Sequence, residues 1–572
     1  MSEKTIQATP AETDHRPSAL RYPHIIPDIR QWPIVRFAAR RGEFINELRT
    51  HARLQILRKH EDDLIEVLQK TAYLERIRLR VQRWKVDPPN EMMFWKRIEK
   101  RLLEILELEP ESRMIALLPL LDKIILRYAN EIVGGFQIRT FKLARIIVPL
   151  FLKGLYNSIH DYKWGILPTD RANLLGKIRI VGEFELLREI FPKGVVVFVP
   201  THFSHLDSVL LGYAIDQKAG LPAFLYGAGL NLFESEIFAY FMNRLGAYRV
   251  DRRKKNTIYR ETLKSFSNLA VQWGVNSLFF PGGTRSRNGA IERQLKLGLL
   301  NSLVQAQREI YQKGQSTKVI VVPIVLNYHF VLEAGPLIRE YLRRLGAERS
   351  LTRSPKVMTV KNILRFVSRI IRKHSEVSIS FGHPIDVLGN PLDTQLNSLD
   401  HKGHPIDLEK YFYRNGRITV DDQREKIYTR QLADAIVNSY HRYQEVLSSH
   451  LVAFAAFHQL KEKHPNYDLF DLIRLDERDY VFDEEQLLHK VQHYLKHLHQ
   501  LATAKKIFLS PKLQHATPHE VLNDGIYHLG AYHMRRPLRR DGKGRIISED
   551  FKKLFYYHNR LDQPQLWEND FP

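Results

Sequence analysis

The chain has no cysteine among its 572 residues. That excludes disulfides, thiolate nucleophiles and cysteine-ligated metals, and it is compatible with a reducing compartment. No stretch approaches the roughly 20 consecutive apolar residues that a membrane span needs. The nearest, Met114–Leu121 and Ile146–Leu152, are short and carry Pro119 and Pro149 within them, so a membrane would be met at its surface. Met1–Arg21 is polar and lacks the apolar centre of a signal peptide. Internal repeats and low-complexity tracts are also lacking. Acidic side chains are in deficit, 64 Asp and Glu against 87 Lys and Arg, a net charge of +23. Such an excess favours anionic partners: nucleic acid, phosphate-bearing substrates or an acidic membrane.

What is present is enough to fold. Apolar residues make up 44% of the chain, which is ample for a globular core, and the length predicts two or three folding units. Residues 1–22 read as a loose tail and 23–157 as a charged helical region. In the latter, helical patterns run over Phe44–Trp84, Glu91–Leu108 and Arg113–Tyr156, punctuated by Pro88, Pro89 and Pro110. The stretch Arg139–Tyr156 mixes Lys142, Arg145 and Lys153 with apolar residues; it fits an interfacial amphipathic helix or a packed helix with a basic edge.

From 158 to 390 the rhythm becomes alternating strands and helices. Strands are predicted at Ile178–Val181, Val195–Val199, Ala223–Tyr226, Tyr248–Val250, Ser277–Phe280, Val319–Leu326 and Val377–Phe381. The fold class is therefore α/β: a mixed, largely parallel sheet with helices on both faces, flanked by helical N-terminal and C-terminal regions. Residues 391–572 read as a long polar loop, to about Thr419, followed by helices. His489, His493 and His497 share one helix face there, without an acidic cluster; a solvated face explains them more simply than a metal site does.

The chemistry gathers at Val195–Leu211, VVVFVPTHFSHLDSVLL. A buried strand runs through a turn into a helix, and His202 and Asp207 sit at that junction. Five positions apart on one straight helix they would diverge by about 140°, so the turn is what lets them meet. A neutral imidazole oriented by a carboxylate can take the proton of an alcohol attacking an acyl carbon. His205 is a rival base. Three other stretches are candidates to converge on this turn. Gly246–Lys255 ends in a cationic corner from which Arg252 is the best phosphate ligand. Phe279–Arg287 ends a strand in Gly282 and Gly283, followed by Thr284, Arg285, Ser286 and Arg287; it lacks the Gly-Lys-Ser/Thr ending of a P-loop. Pro323, inside the strand Val319–Leu326, suggests an edge, a bulge or a wall beside a bound chain.

Together these blocks resemble the glycerolipid acyltransferases, whose four blocks occur in this order: His202-x4-Asp207, Gly246–Arg252, Phe280–Arg287 and the strand around Pro323. The sequences VPTHFSHLDSVLL, GAGLNLF at Gly227–Phe233, Lys296 with Gly298, and FGHPI at Phe381–Ile385 look most like the glycerol-3-phosphate and dihydroxyacetone-phosphate branch. The resemblance implies His202 as general base supported by Asp207. It also implies that Arg252, Gly283, Thr284, Arg285, Ser286, Arg287, Lys296 and Pro323 bind substrate, with no cofactor and no metal. The implied reaction moves a fatty acyl group from acyl-CoA or acyl-carrier protein to the sn-1 hydroxyl of glycerol 3-phosphate, or a related phosphorylated acceptor, in phospholipid synthesis. The expected partner is an anionic membrane surface, met peripherally on its cytoplasmic face, and not nucleic acid. Lysophosphatidate acylation and a catalytically silent, membrane-docked lipid-binding protein are the competing possibilities. The second is motivated by a departure: family members usually carry Glu where this chain has Gly282, so that carboxylate is expected to be missing.

Overall fold

The computed structural model describes residues 21–88, 90–156, 175–230, 233, 236–346, 376–531, 533–563 and 566–567, with side chains of 150–156 and 236–238 excepted. The tail expected over residues 1–22 lies almost wholly outside them.

Five long helices precede the sheet: α1 (Arg41–His60), α2 (Leu64–Val81), α3 (Glu91–Leu106), α4 (Pro110–Ile132) and α5 (Ile138–Tyr156). Pro110 opens α4, where its missing N–H costs nothing. The α/β unit follows as β1 (Ile178–Gly182), α6 (Phe184–Ile190), β2 (Val195–Pro200), α7 (Asp207–Tyr213), β3 (Leu225–Gly229), α8 (Glu236–Met242), β4 (Ala247–Val250), α9 (Thr257–Gln272), β5 (Ser277–Leu278), α10 (Leu297–Gln312), β6 (Val319–Tyr328), α11 (Ala334–Arg344) and β7 (Val377–Phe381). The strands form one sheet in the order β1-β7-β6-β2-β5-β3-β4, parallel at every pairing except β6 with β7. All six residues of β2 are buried, as an unbroken Val-rich run requires when helices cover both faces.

Pro323 lies inside the sheet, not at its edge. It is paired with Val199 of β2 on one side. On the other, Gly382 N–H donates to its carbonyl at 2.8 Å. Between the Val321–Ile385 bridge and the Ile324–Phe381 pair, β6 spends one residue fewer than its neighbour. The missing proline N–H thus falls at a local interruption of the ladder, the bulge that was one of its expected settings.

Residues 386–419 are more ordered than their composition predicts. Short antiparallel pairings at Ser398–Leu399 with Pro405–Ile406, and at Tyr413–Arg414 with Arg417–Ile418, punctuate the segment. The helices α12 (Asp422–Arg442), α13 (Ser448–Lys463), α14 (Glu484–Thr503), α15 (Pro518–Ala531) and α16 (Phe551–His558) follow. One continuous apolar cluster joins the sheet to these helices, from Leu175 and Val196 through Phe454 to Leu554 and Trp567. On α14, His497 Nε2 bonds the Leu566 carbonyl at 2.5 Å, so this member of the histidine row serves packing.

Two histidines in that shared core make its stability pH-dependent. Burial, then the nearby Arg560 charge, pushes His450 down to about 3; burial alone does the same to His558. Their imidazoles ionise near 6.5 once unfolded, so between 6.5 and 3 the unfolded chain binds more protons, and stability falls as pH falls. The loss is about 1.4 kcal/mol per histidine for each pH unit below 6.5. Between pH 6.5 and 5.5, where the unfolded imidazoles go from half to mostly protonated, the pair should lower the stability read by denaturant unfolding by about 2 kcal/mol; equal stabilities would refute neutral burial of this pair.

Candidate active site

The carboxyl ends of β2, β3, β4, β5 and β6 point to one edge of the sheet, where open α/β sheets hold ligands. His202 follows β2 by two residues, and Asp207 opens α7. His202 Nδ1 lies 2.8 Å from Asp207 Oδ2. The same carboxylate oxygen accepts the N–H groups of Phe203 at 2.7 Å and Ser204 at 2.9 Å, while Oδ1 accepts the Tyr328 hydroxyl at 2.7 Å. Asp207 is fully buried, and these bonds supply what burial of a carboxylate demands. They also fold the turn that brings His202 to it. With Nδ1 committed to Asp207, the imidazole presents Nε2 as its basic atom. The ring is stacked on Phe280, centroids 4.0 Å apart, which fixes its plane.

His202 opens onto a cleft of about 160 Å³ shared with His205, Arg252, Thr284, Arg285 and Arg287, and closed by Gly229, Leu337 and Glu340. Four of the eight substrate residues expected from sequence, Arg252, Thr284, Arg285 and Arg287, thus share a cleft with the dyad. Gly283 supports them from the turn: its φ of +76° is a left-handed conformation that glycine adopts without strain. Ser286 faces its own loop, donating to the Ala290 carbonyl at 2.8 Å, while its N–H holds the His202 carbonyl at 2.7 Å. Lys296 is exposed and packs its stem against Gly283, outside the cleft walls. Pro323 is likewise not among the cleft walls.

Three guanidinium groups in one cleft repel one another. Burial, then the charges of Arg285 and Arg287, lowers the proton affinity of Arg252. Among the described residues no hydrogen bond or ion pair holds the Arg252 side chain. Arg285 lies 3.3 Å from Glu333, and Arg287 donates to Glu340 at 2.9 Å. The arrangement suits an anion carrying more than one negative charge. His205 sits in the same field. Burial, then Arg285, His202 and Arg252, pushes it down to about 3, so it is a poor base at neutral pH and His202 is the better one.

Several supporting residues gave no sequence signal because they come from distant elements. Glu333 accepts the Ser204 hydroxyl at 2.9 Å and the His205 N–H at 3.0 Å. Arg560, beyond α16, stacks its guanidinium over Phe203 at 4.4 Å and donates to the Leu326 carbonyl and Asn327 Oδ1 at 2.9 and 2.7 Å. Asn559 donates to the Asn288 carbonyl at 2.8 Å, and the Tyr556 carbonyl would lie 2.1 Å from a Cβ on Gly289. The C-terminal segment thus forms the rear wall of both the catalytic turn and the Thr284–Gly289 loop.

The α/β fold with this histidine–aspartate edge defines an acyltransferase-type domain, and residues 180–327 match the acyltransferase family model. Relatives extend the match. Glycerol-3-phosphate acyltransferase from Pseudomonas putida (strain W619) is 24% identical over 265 residues, and those from Pseudomonas paraeruginosa (strain DSM 24068 / PA7) and Pseudomonas aeruginosa (strain LESB58) are 25% identical over 265. Each match covers 46% of this chain and 28% of the relative. Residues 180–327 thus match an acyltransferase domain, and the chain spans under a third of the length of the glycerol-3-phosphate acyltransferases that it resembles.

Proposed function

We propose that the protein transfers a fatty acyl group from an acyl thioester, acyl-CoA or acyl-carrier protein, to the sn-1 hydroxyl of glycerol 3-phosphate, in phospholipid synthesis. The observation that carries this is the His202–Asp207 dyad facing Arg252, Arg285 and Arg287 across one cleft. The arginines hold the acceptor's phosphate, which places a glycerol hydroxyl near His202. Nε2 takes the hydroxyl proton as the oxygen bonds to the thioester carbonyl carbon. The C–S bond then breaks, and the imidazolium returns the proton to the leaving thiolate. No covalent enzyme intermediate is required. A cleft of about 160 Å³ with polar walls suits a small phosphorylated polyol better than an acceptor already bearing an acyl chain.

The test is incubation of the purified protein with labelled glycerol 3-phosphate, dihydroxyacetone phosphate and lysophosphatidate separately, each with acyl-CoA and with acyl-carrier protein. Acylated glycerol 3-phosphate is the expected main product; its absence with both donors would overturn the reading.

We also propose peripheral attachment to an anionic membrane surface. Among the described residues no helix is long and apolar enough to cross a bilayer. The α2 residues Tyr73, Ile77 and Val81 line one exposed face beside Arg80, and on α5 Leu143, Ile146 and Ile147 are exposed beside Arg139 and Lys142. Apolar insertion and about 1 kcal/mol per basic residue near the surface support docking, and anionic lipid on the cytoplasmic leaflet favours that face. Co-sedimentation with vesicles should rise with anionic lipid and fall with salt; equal binding to neutral vesicles would contradict the electrostatic part.

A further inference from the structure

The site holds a carboxyl group that the proposed chemistry does not use. Glu292 precedes α10, and its Oε1 accepts the His202 N–H at 3.0 Å. Its Oε2 is shut off from solvent with no partner among the described residues. Burial, the largest influence, pushes this acid up to about 7, although the His202 N–H, its own N–H and the Arg560 charge all favour ionisation. A sealed, half-satisfied carboxyl costs free energy, so its placement against the backbone of the catalytic histidine calls for a role.

The space it fills is made by Gly282. A Cβ at that position would lie 3.0 Å from Glu292 Cγ and 3.1 Å from Oε1, closer than ordinary packing allows. Gly282 does not have a left-handed φ, so the backbone would accept alanine there. What glycine provides is room. The carboxylate expected to be missing at position 282 is missing; the space beside Gly282 is taken by the Glu292 carboxyl, which faces the His202 backbone and not the cleft.

We infer that Glu292 is a positioning residue, which clamps the His202 backbone from behind through the vacancy at Gly282 and so holds the imidazole against Phe280 and Asp207 at the cleft. It does not touch the cleft, and it acts through His202. The inference rests on acyl transfer by His202 for its kinetic part, whereas the clamp itself is independent of the reaction. A misplacement of about 1 Å in a catalytic group is enough to cost on the order of 10²-fold in rate, and a lost backbone anchor permits that.

The test compares Glu292→Ala, Glu292→Gln, Gly282→Ala and the Gly282→Ala/Glu292→Ala double variant in the full chain. Hydrogen exchange of peptides spanning 200–206 is read alongside steady-state kinetics. Glu292→Ala should lower kcat by about 30-fold with acceptor KM within about threefold, and Glu292→Gln, which keeps an oxygen acceptor, should recover most of the loss. Exchange at the His202 amide should speed up at least about tenfold in the alanine variant and stay near the wild-type rate in the glutamine variant. Gly282→Ala should cost about fivefold in kcat alone and under about twofold in the Glu292→Ala background, because it acts by displacing Glu292. Unchanged exchange in Glu292→Ala, a kcat within twofold of wild type, or losses that multiply independently would each overturn the inference. A wild-type protein that acylates no acceptor would defeat the proposed reaction instead, and the exchange measurement would then decide the clamp alone.

Discussion

His202→Ala is expected to lower kcat by about 10³-fold while leaving acceptor KM within a few-fold, because general-base transfer contributes on the order of 10²–10⁴ and the phosphate-binding arginines stay in place. The geometry behind this is short-range: Nδ1 on Asp207 at 2.8 Å, ring stacked on Phe280 at 4.0 Å, and Nε2 towards the cleft. His205 offers no substitute, since burial and the surrounding cations hold its proton affinity far too low. Asp207→Asn should give a comparable loss with an additional cost in stability. The amide keeps a single acceptor oxygen, while two backbone N–H groups, the imidazole and the Tyr328 hydroxyl all need acceptors. Single-turnover acyl transfer measures the first effect. A His202→Ala protein with wild-type kcat would remove the histidine from the mechanism and favour the lipid-binding alternative.

The second large effect belongs to Arg252. Arg252→Ala should raise the acceptor KM by about 10²-fold, the scale of a charge-assisted bidentate contact, and leave kcat at saturation within about fivefold. The fold should not suffer. Among the described residues no ion pair anchors this guanidinium, and the charges of Arg285 and Arg287 oppose it, so its removal relieves repulsion and Tm should be unchanged or slightly higher. Inorganic phosphate offers an independent measurement: it should compete with acceptor in the wild type and lose most of that competition in the variant. An unchanged KM would move the phosphate away from the arginine cluster.

Much of this site can be read from local sequence. The strand Val377–Phe381 has the bounds its alternation predicts, and the Val195–Val199 run differs by one residue. Unbroken β-branched runs have few other solutions when both faces are covered. The strand expected to reach Phe280 stops at Leu278; Phe280 instead stacks on His202, ahead of the turn at Pro281. What the sequence does not reveal is non-local. No local pattern says that β7 enters between β1 and β6, parallel to the first and antiparallel to the second, or that Pro323 sits at a bulge within the sheet. Tyr328, Glu333 and Arg560 reach the catalytic turn from far along the chain, and Glu292 fills a gap visible only once the loop is folded. Ser286 lies in the Phe280–Arg287 block and Lys296 beyond it, but Ser286 bonds its own loop and Lys296 packs against Gly283, so neither lines the cleft.

The wall built by Asn559 and Arg560 has a practical consequence for anyone dissecting the molecule. The four sequence blocks end before residue 330, which invites trimming to a minimal catalytic fragment. Such trimming would uncover Phe203, strip the floor from the Thr284–Gly289 loop and expose the Leu326 carbonyl. A premature stop ahead of Phe551 would therefore silence the enzyme as surely as a lesion at the histidine, even with every sequence block intact.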